Sequence, residues 1–389
     1  MPVPNATKPA LPRLDGIDVL RGLSILAVVL LHILIRFSFV GVHLGADWPR
    51  YTQHFMFFNG GNGVTIFFAV SGFLITLTSL RRFGSLGELR PRVFYRIRFA
   101  RIMPLLLLLL AVLSVLHLAH VDAFRLHTKV FTLPRALLAA LTFHLNWLEA
   151  SRNAYLPACW TVLWSLSIEE MFYLFFPLAC VVLLRRGRWG IWVFVGLCLA
   201  LAAMGPFARV VWSKTDIAQE NSYLAGMASI ALGCLTALAA NRWRAREWPR
   251  KYLLGIGTAG WVSILLIAIW PRWHAMRVLG SSGTDDTLLA LGTCLVMLAV
   301  ALCSARGRAW SAPVRWFGRH SYEIYLSHEF VVIAGVGLFA RWYPHGASRA
   351  VVAAFVSAML PLTALLGWPL AKWFAEPMNR RLRGATPAK

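Results

Sequence analysis

Two adjacent carboxylates, Glu169 and Glu170, stand in the apolar run Trp160–Leu184. Ionisable groups in such a run are costly to bury and usually serve function. Glu169 and Tyr173 fall at i,i+4 and share a helix face. A second pair, Arg21 and His32, lies in the run Ile17–Phe37. Their spacing of eleven residues is close to three helical turns, so they share one face about 16 Å apart along the axis. Arg21 alone reads equally well as a snorkelling anchor, and His32 as a histidine satisfied by a neighbouring helix. Glu169, counted inward, sits about 13 Å below the outer boundary, and His32, counted outward, about 22 Å above the inner one. In a hydrocarbon core about 30 Å thick these depths nearly coincide. Glu169 and His32 are therefore expected to meet if their helices are neighbours, with the carboxylate orienting or charge-balancing an imidazole that accepts a proton or attacks an acyl group.

Three further places could take part. Arg98 and Arg101 project side by side on a helix, and paired guanidiniums suit phosphates because each planar fork binds two oxygens. Ser71 precedes Gly72 in the middle of an apolar run, where close helix packing competes with a nucleophilic role that would need a nearby base. His328, in Ser321–Glu329, is expected nearer the cytoplasmic end of its run, in a packing or channel-lining role alongside Ser71 and Glu170.

The elements that carry these residues are helices in a bilayer. Mean hydropathy is +0.63. Charged residues are 14% of the chain, against about 25% in soluble domains. Apolar runs of spanning length leave the backbone no partner but itself, which favours helices. Ten spans are read at 17–37, 63–80, 102–119, 160–184, 189–205, 221–240, 252–270, 286–304, 320–340 and 350–374. The stretch 134–147 is too short for a comfortable crossing and contains His144 and Asn146, so it is read as a re-entrant outer segment. If it crossed, the cluster Arg242–Lys251 would fall outside, against the positive-inside bias.

The fold class is thus all-α, a polytopic membrane protein of about ten transmembrane helices plus that re-entrant segment. Both termini are cytoplasmic, in a tail at 1–16 and another at 377–389 that flank a membrane domain at 17–376. The net charge of +23 follows from cytoplasmic Arg and Lys, which argues against nucleic acid as a partner. No cleaved signal peptide is read in Met1–Gly16. The six cysteines form no CxxC pair, and all but Cys159 lie within apolar runs, so no metal site is expected. Apolar runs without a repeat give no support to a transporter built of paired halves. A proton-coupled transporter using the same Arg, His and Glu residues remains the alternative to an enzyme.

Order and spacing together resemble the acyltransferase-3 family of membrane O-acyltransferases. Leu14-Asp15-Gly16 and Leu20-Arg21-Gly22 lead to His32 in an Arg-x10-His pattern, and Arg98 and Arg101 form an Arg-x-x-Arg before Ile-x-Pro. Ser71-Gly72-Phe73, Trp164–Tyr173 and Glu376-Pro377 are similar to its other landmarks. The resemblance implies a bacterial, multi-pass inner-membrane acyltransferase. Acyl-CoA, most simply acetyl-CoA, would serve as co-substrate, with no bound cofactor, and Arg21, Arg98 and Arg101 would hold its phosphates. Catalysis would fall to His32, Glu169 and Tyr173. The acceptor would be a hydroxyl of an exported or cell-surface carbohydrate or glycolipid, with membrane lipid as the surroundings. Some members carry a fused extracytoplasmic SGNH domain, absent from this sequence, which implies either transfer by one polypeptide or a separate periplasmic partner enzyme.

Overall fold

A computed structural model describes residues 14–126, 130–185, 187–212, 215–270, 282–303 and 307–384. Among them ten helical segments are long and apolar enough to cross a membrane. The first three are α1 (Asp15–Phe39), α3 (Gly60–Phe83) and α4 (Pro91–Leu118), with a short α2 (Arg50–Phe57) between α1 and α3. Two short helices follow, α5 (Leu133–Leu141) and α6 (Leu145–Arg152). Then come α7 (Leu163–Leu184), α8 (Arg188–Phe207), a short α9 (Asp216–Glu220), α10 (Tyr223–Trp243), α11 (Arg250–Ile269) and α12 (Asp285–Cys303). The chain closes with α13 (Ala312–Arg319), α14 (Ser321–Trp342), α15 (Arg349–Pro369) and α16 (Glu376–Arg383). The stretch expected to dip without crossing is α5 and α6. At about 1.5 Å per residue neither can traverse a bilayer core. They meet at a sharp corner where Phe143 takes a positive φ of 57°.

Small residues set the closest contacts. Gly72 of α3 lies against the Ile230 carbonyl of α10, and Gly233 of α10 against the Ala69 carbonyl of α3, each so close that a Cβ would collide with backbone. Gly22 of α1 and the Val314 carbonyl of α13 meet the same way, as do Gly318 and the Asp18 carbonyl. With little hydrophobic drive between helices in lipid, such close approach is a main source of association. It also has a positional effect. Because α13 runs along the first turns of α1, α14 starts level with Arg21, whose guanidinium donates to the Ser321 hydroxyl at 2.8 Å.

The last span does not stop at residue 374. A π-helical turn, Leu370–Ala375, carries α15 into α16. The first part of the stretch read as a C-terminal tail is therefore a helix, packed on α4. Residues 1–13 and 385–389 of the two tails lie outside the described residues, as do the loop cations Arg186, Lys214 and Arg306. Position in an apolar run does not decide which cysteine is exposed. Cys159, the one outside the apolar runs, is fully buried, and Cys303 is exposed.

Candidate active site

A central cavity of about 670 Å³ opens among α1, α3, α4, α7, α14 and α16. One wall is polar. The Ser71 and Tyr173 hydroxyls lie within hydrogen-bond reach of each other and of Oε1 of Glu169, to which Tyr173 donates at 2.5 Å. The i,i+4 spacing of Glu169 and Tyr173 does bring the two to one face. Arg98 stacks on the Tyr173 ring, with the guanidinium carbon 3.7 Å from its centroid. It also reaches Glu170 at 3.1 Å and Glu169 at 3.5 Å. Apolar side chains of α3, Val64, Phe67, Phe68 and Leu74, line the cavity on either side of Ser71. Besides Arg98, three guanidiniums border the space: Arg21, Arg101 and Arg383.

Two further cavities adjoin it. One of about 530 Å³ shares Arg21, Leu74 and Thr78 with the central space and adds Arg81, Arg319 and His320. The other, about 430 Å³, lies toward the opposite ends of the helices and shares Val64 and Phe68.

His32 lies elsewhere. Its Nδ1 is 2.8 Å from the Val28 carbonyl, and its Nε2 is 3.4 Å from Oε1 of Glu329 on α14. Arg36, one turn further along α1, donates to Oε2 of Glu329 from Nε at 3.0 Å and from a terminal nitrogen at 2.9 Å. The His328 ring meets the His32 ring edge-on, with centroids 4.8 Å apart.

The expected meeting of His32 with Glu169 does not occur. Equal depth is not adjacency: α1 packs on α3, α13 and α14, whereas α7 packs on α6, α8 and α10. Glu329 takes the place given to Glu169. His328 is not nearer one end than His32, whose ring it meets, because α13 sets the start of α14 level with Arg21 rather than with the start of α1. Of the three side chains read as channel-lining, Ser71 lines the cavity, while Glu170 is turned to Arg98 and His328 is fully buried behind Tyr325. Tyr325 forms the partition. It lines the cavity, its hydroxyl bonds Ser165 at 2.6 Å, and its ring is 6.1 Å from that of His328. Arg98 is engaged by carboxylates, so the cations open to the cavity are Arg21, Arg101 and Arg383.

Glu329, Arg36 and Arg383 went unselected in the sequence. A signal for the first two was present: Arg36 follows His32 by four residues, on the same face near the end of its span, and needs a carboxylate. Arg383 gave none, since its position depends on the π turn.

The chain matches the acyltransferase domain family, Acyl_transf_3, over residues 14–370. It belongs to the acyltransferase-3 family. Among its relatives are the peptidoglycan O-acetyltransferase OatA of Listeria monocytogenes, 25% identical over 336 residues, covering 82% of this chain and 49% of the relative. YrhL of Bacillus subtilis, whose name assigns it provisionally to peptidoglycan O-acetylation, is 26% identical over 350 residues, with 82% and 49% covered. A Staphylococcus aureus protein (strain COL) with a provisional O-acetyltransferase name is 24% identical over 347 residues, with 83% and 51% covered. The chain spans about half the length of these curated relatives. No solved structure matches it. The family match takes in every acyltransferase-3 landmark quoted above except Glu376-Pro377.

Proposed function

We propose that this protein moves an acyl group, most simply acetyl, from cytoplasmic acyl-CoA to a hydroxyl of an exported or cell-surface glycan. The observation that carries the reading is the central cavity in a chain of this family: apolar over much of its lining, bordered by Arg21, Arg101 and Arg383, and sharing Arg21, Leu74 and Thr78 with a second arginine-lined space. Such a space suits a donor with a polyphosphate end and a small apolar thioester end, since guanidinium forks bind phosphate oxygens. The arginine-lined face is assigned to the cytoplasm because Arg and Lys resist translocation, which sets both termini inside. Peptidoglycan, named in two of the relatives, is the first acceptor to try.

The acyl end of the donor extends to the closed end of the cavity at Tyr325, one turn from His328 and Glu329. With the Tyr325 side chain turned aside, the acceptor oxygen attacks the thioester carbon, the C–S bond breaks, and the hydroxyl proton passes to Nε2 of His32, which otherwise lies behind that ring. The sulfur of CoA leaves and is protonated. Ser71, Glu169 and Tyr173 shape the cavity wall beside the thioester.

The test is turnover in lipid nanodiscs with labelled acetyl-CoA and soluble peptidoglycan fragments. Label should appear as an alkali-labile ester on the glycan, with one free CoA released per ester, and without any transmembrane gradient. A proton-coupled transporter would instead need the gradient and release no CoA, and that result would sink the enzyme reading.

A further inference from the structure

His32, His328 and Glu329 converge behind Tyr325, each offering one ring nitrogen or carboxylate oxygen within 4.8 Å of the others, with Nε2 of His32 3.4 Å from Oε1 of Glu329. Backbone carbonyls only accept, so each histidine must carry its proton on Nδ1. His32 Nδ1 donates to Val28 at 2.8 Å, and His328 Nδ1 to Tyr325 at 2.8 Å and Ile324 at 3.1 Å. Both Nε2 atoms are then bare when the rings are neutral. Nε2 of His32 would face a carboxylate oxygen at 3.4 Å, lone pair to lone pair. Nε2 of His328 is fully buried and has no hydrogen-bond partner among the described residues. A buried acceptor without a donor costs about 1–3 kcal/mol. Something positive belongs among these atoms.

Charge decides between a proton and a metal ion. Arg36 already neutralises Glu329. A divalent ion would leave two uncompensated charges inside the bundle, a proton only one, and the penalty for burying charge rises steeply with its size. We propose that His32, Glu329 and His328 share one mobile proton, and that His328 is its second station. With the proton between His32 and Glu329, His32 is an imidazolium and cannot act as a base. When it moves to Nε2 of His328, the lone pair of His32 is free to take the proton of the acceptor hydroxyl. As that O–C bond forms and the thioester C–S bond breaks, the negative charge on the oxyanion and then on the departing sulfur offsets the second positive charge, and the proton collected at His32 is the one returned to the CoA sulfur. Glu329, fixed by Arg36, is the positioning residue. This rests on the transfer reaction proposed above for its purpose, though not for its existence.

The charged and titratable groups around His328 are His32 and Arg36 from α1, Tyr325 and Glu329 from α14, and Cys159 from the turn before α7. The test is a ¹⁵N titration of histidine-labelled protein in nanodiscs, with His32→Gln and His328→Asn to assign the two signals. Asn keeps a donor for the Tyr325 carbonyl and deletes Nε2. In the unsubstituted protein both rings should show the Nδ1–H tautomer and titrate together. His328→Asn should uncouple His32 and move its midpoint by about one pH unit or more. Acetyl transfer should fall about 10²-fold with KM for acetyl-CoA unchanged, and the pH–rate profile should change shape. If His328→Asn does not fold, Glu329→Gln provides the same readouts, because the amide cannot share the proton. An unchanged His32 titration and an unchanged pH profile overturn the proposal. So does one transition-metal ion per chain in the purified protein, since the same lone pairs would then be ligands. The titration needs no substrate, so coupled histidines without acetyl transfer would sink the enzyme reading and leave the shared proton standing.

Discussion

At the scale of single residues, the two arginines of the Arg-x-x-Arg pattern are chemically unequal. Arg101 faces the cavity with no carboxylate partner among the described residues. Arg98 is held by Glu170, Glu169 and the Tyr173 ring, with its side chain 14% exposed. Spacing showed that they share a face, but spacing carries no information on which guanidinium a neighbouring helix will claim. The consequence is a split outcome. Arg101→Ala should leave the protein as stable as before and weaken acetyl-CoA binding by about 1.5–3 kcal/mol, roughly tenfold or more, with lysine restoring part of it. Arg98→Ala should strand two carboxylates inside a span and cost about 3–5 kcal/mol of stability, seen as a lower melting temperature and poor recovery from detergent. Donor titration alongside thermal melting of both variants decides the matter. Equal affinity losses with equal stability would show both arginines at the phosphates.

At the scale of elements, the spans were legible because hydrocarbon imposes length and apolarity on a helix. Their neighbours were not, because adjacency depends on small contacts such as Gly22 against Val314 that leave almost no mark in composition. The short outer pair α5 and α6 was legible as non-crossing, and the structure adds what anchors it. Glu149 of α6 is fully buried. It accepts the Leu156 amide at 2.8 Å and the Asn221 side chain, at the start of α10, at 2.9 Å. Burial pushes its carboxyl up to about 8, although those donors pull the other way. In the unfolded chain the group ionises near its ordinary value of 4.5. The unfolded state therefore releases a proton that the folded state keeps across that window, and stability falls as pH rises through it, levelling off above about 8. The melting temperature should accordingly drop between pH 5 and pH 8, and Glu149→Gln should flatten that slope. Asn221 can turn its amide to accept from the new donor. A slope that is the same in both proteins would place the titration elsewhere.

At the scale of the whole molecule, orientation rests on where the cations lie, and an exposed thiol offers a direct check. Cys303 ends α12 on the same side as the start of α1, where Gly16 packs on Val300, while the other five cysteines are buried. A thiol reagent that cannot cross membranes should leave intact cells unlabelled and should modify Cys303 once they are permeabilised. Labelling of intact cells would invert the topology. The same side of the bundle receives Arg383, and here the sequence was mute for a physical reason: one extra residue per π turn redirects the last helix, and no residue type announces it.

The three cavities have a shared wall. Val64 and Phe68 border the upper and central spaces, and Leu74 and Thr78 the central and lower ones, so a single helix, α3, flanks all of them. Fourteen residues of helix separate Val64 from Thr78, about 21 Å of a core about 30 Å thick. Laid end to end, such spaces would be a conduit, and a conduit across an energised membrane dissipates the gradient that the cell maintains. The edge-on contact of Phe68 with Trp164, ring centroids 6.3 Å apart, stands where the upper and central spaces meet. In the transfer reaction proposed above donor and acceptor enter from opposite sides, and rings in contact at this point would keep the two water columns apart, so that the bundle serves both compartments without becoming a hole between them.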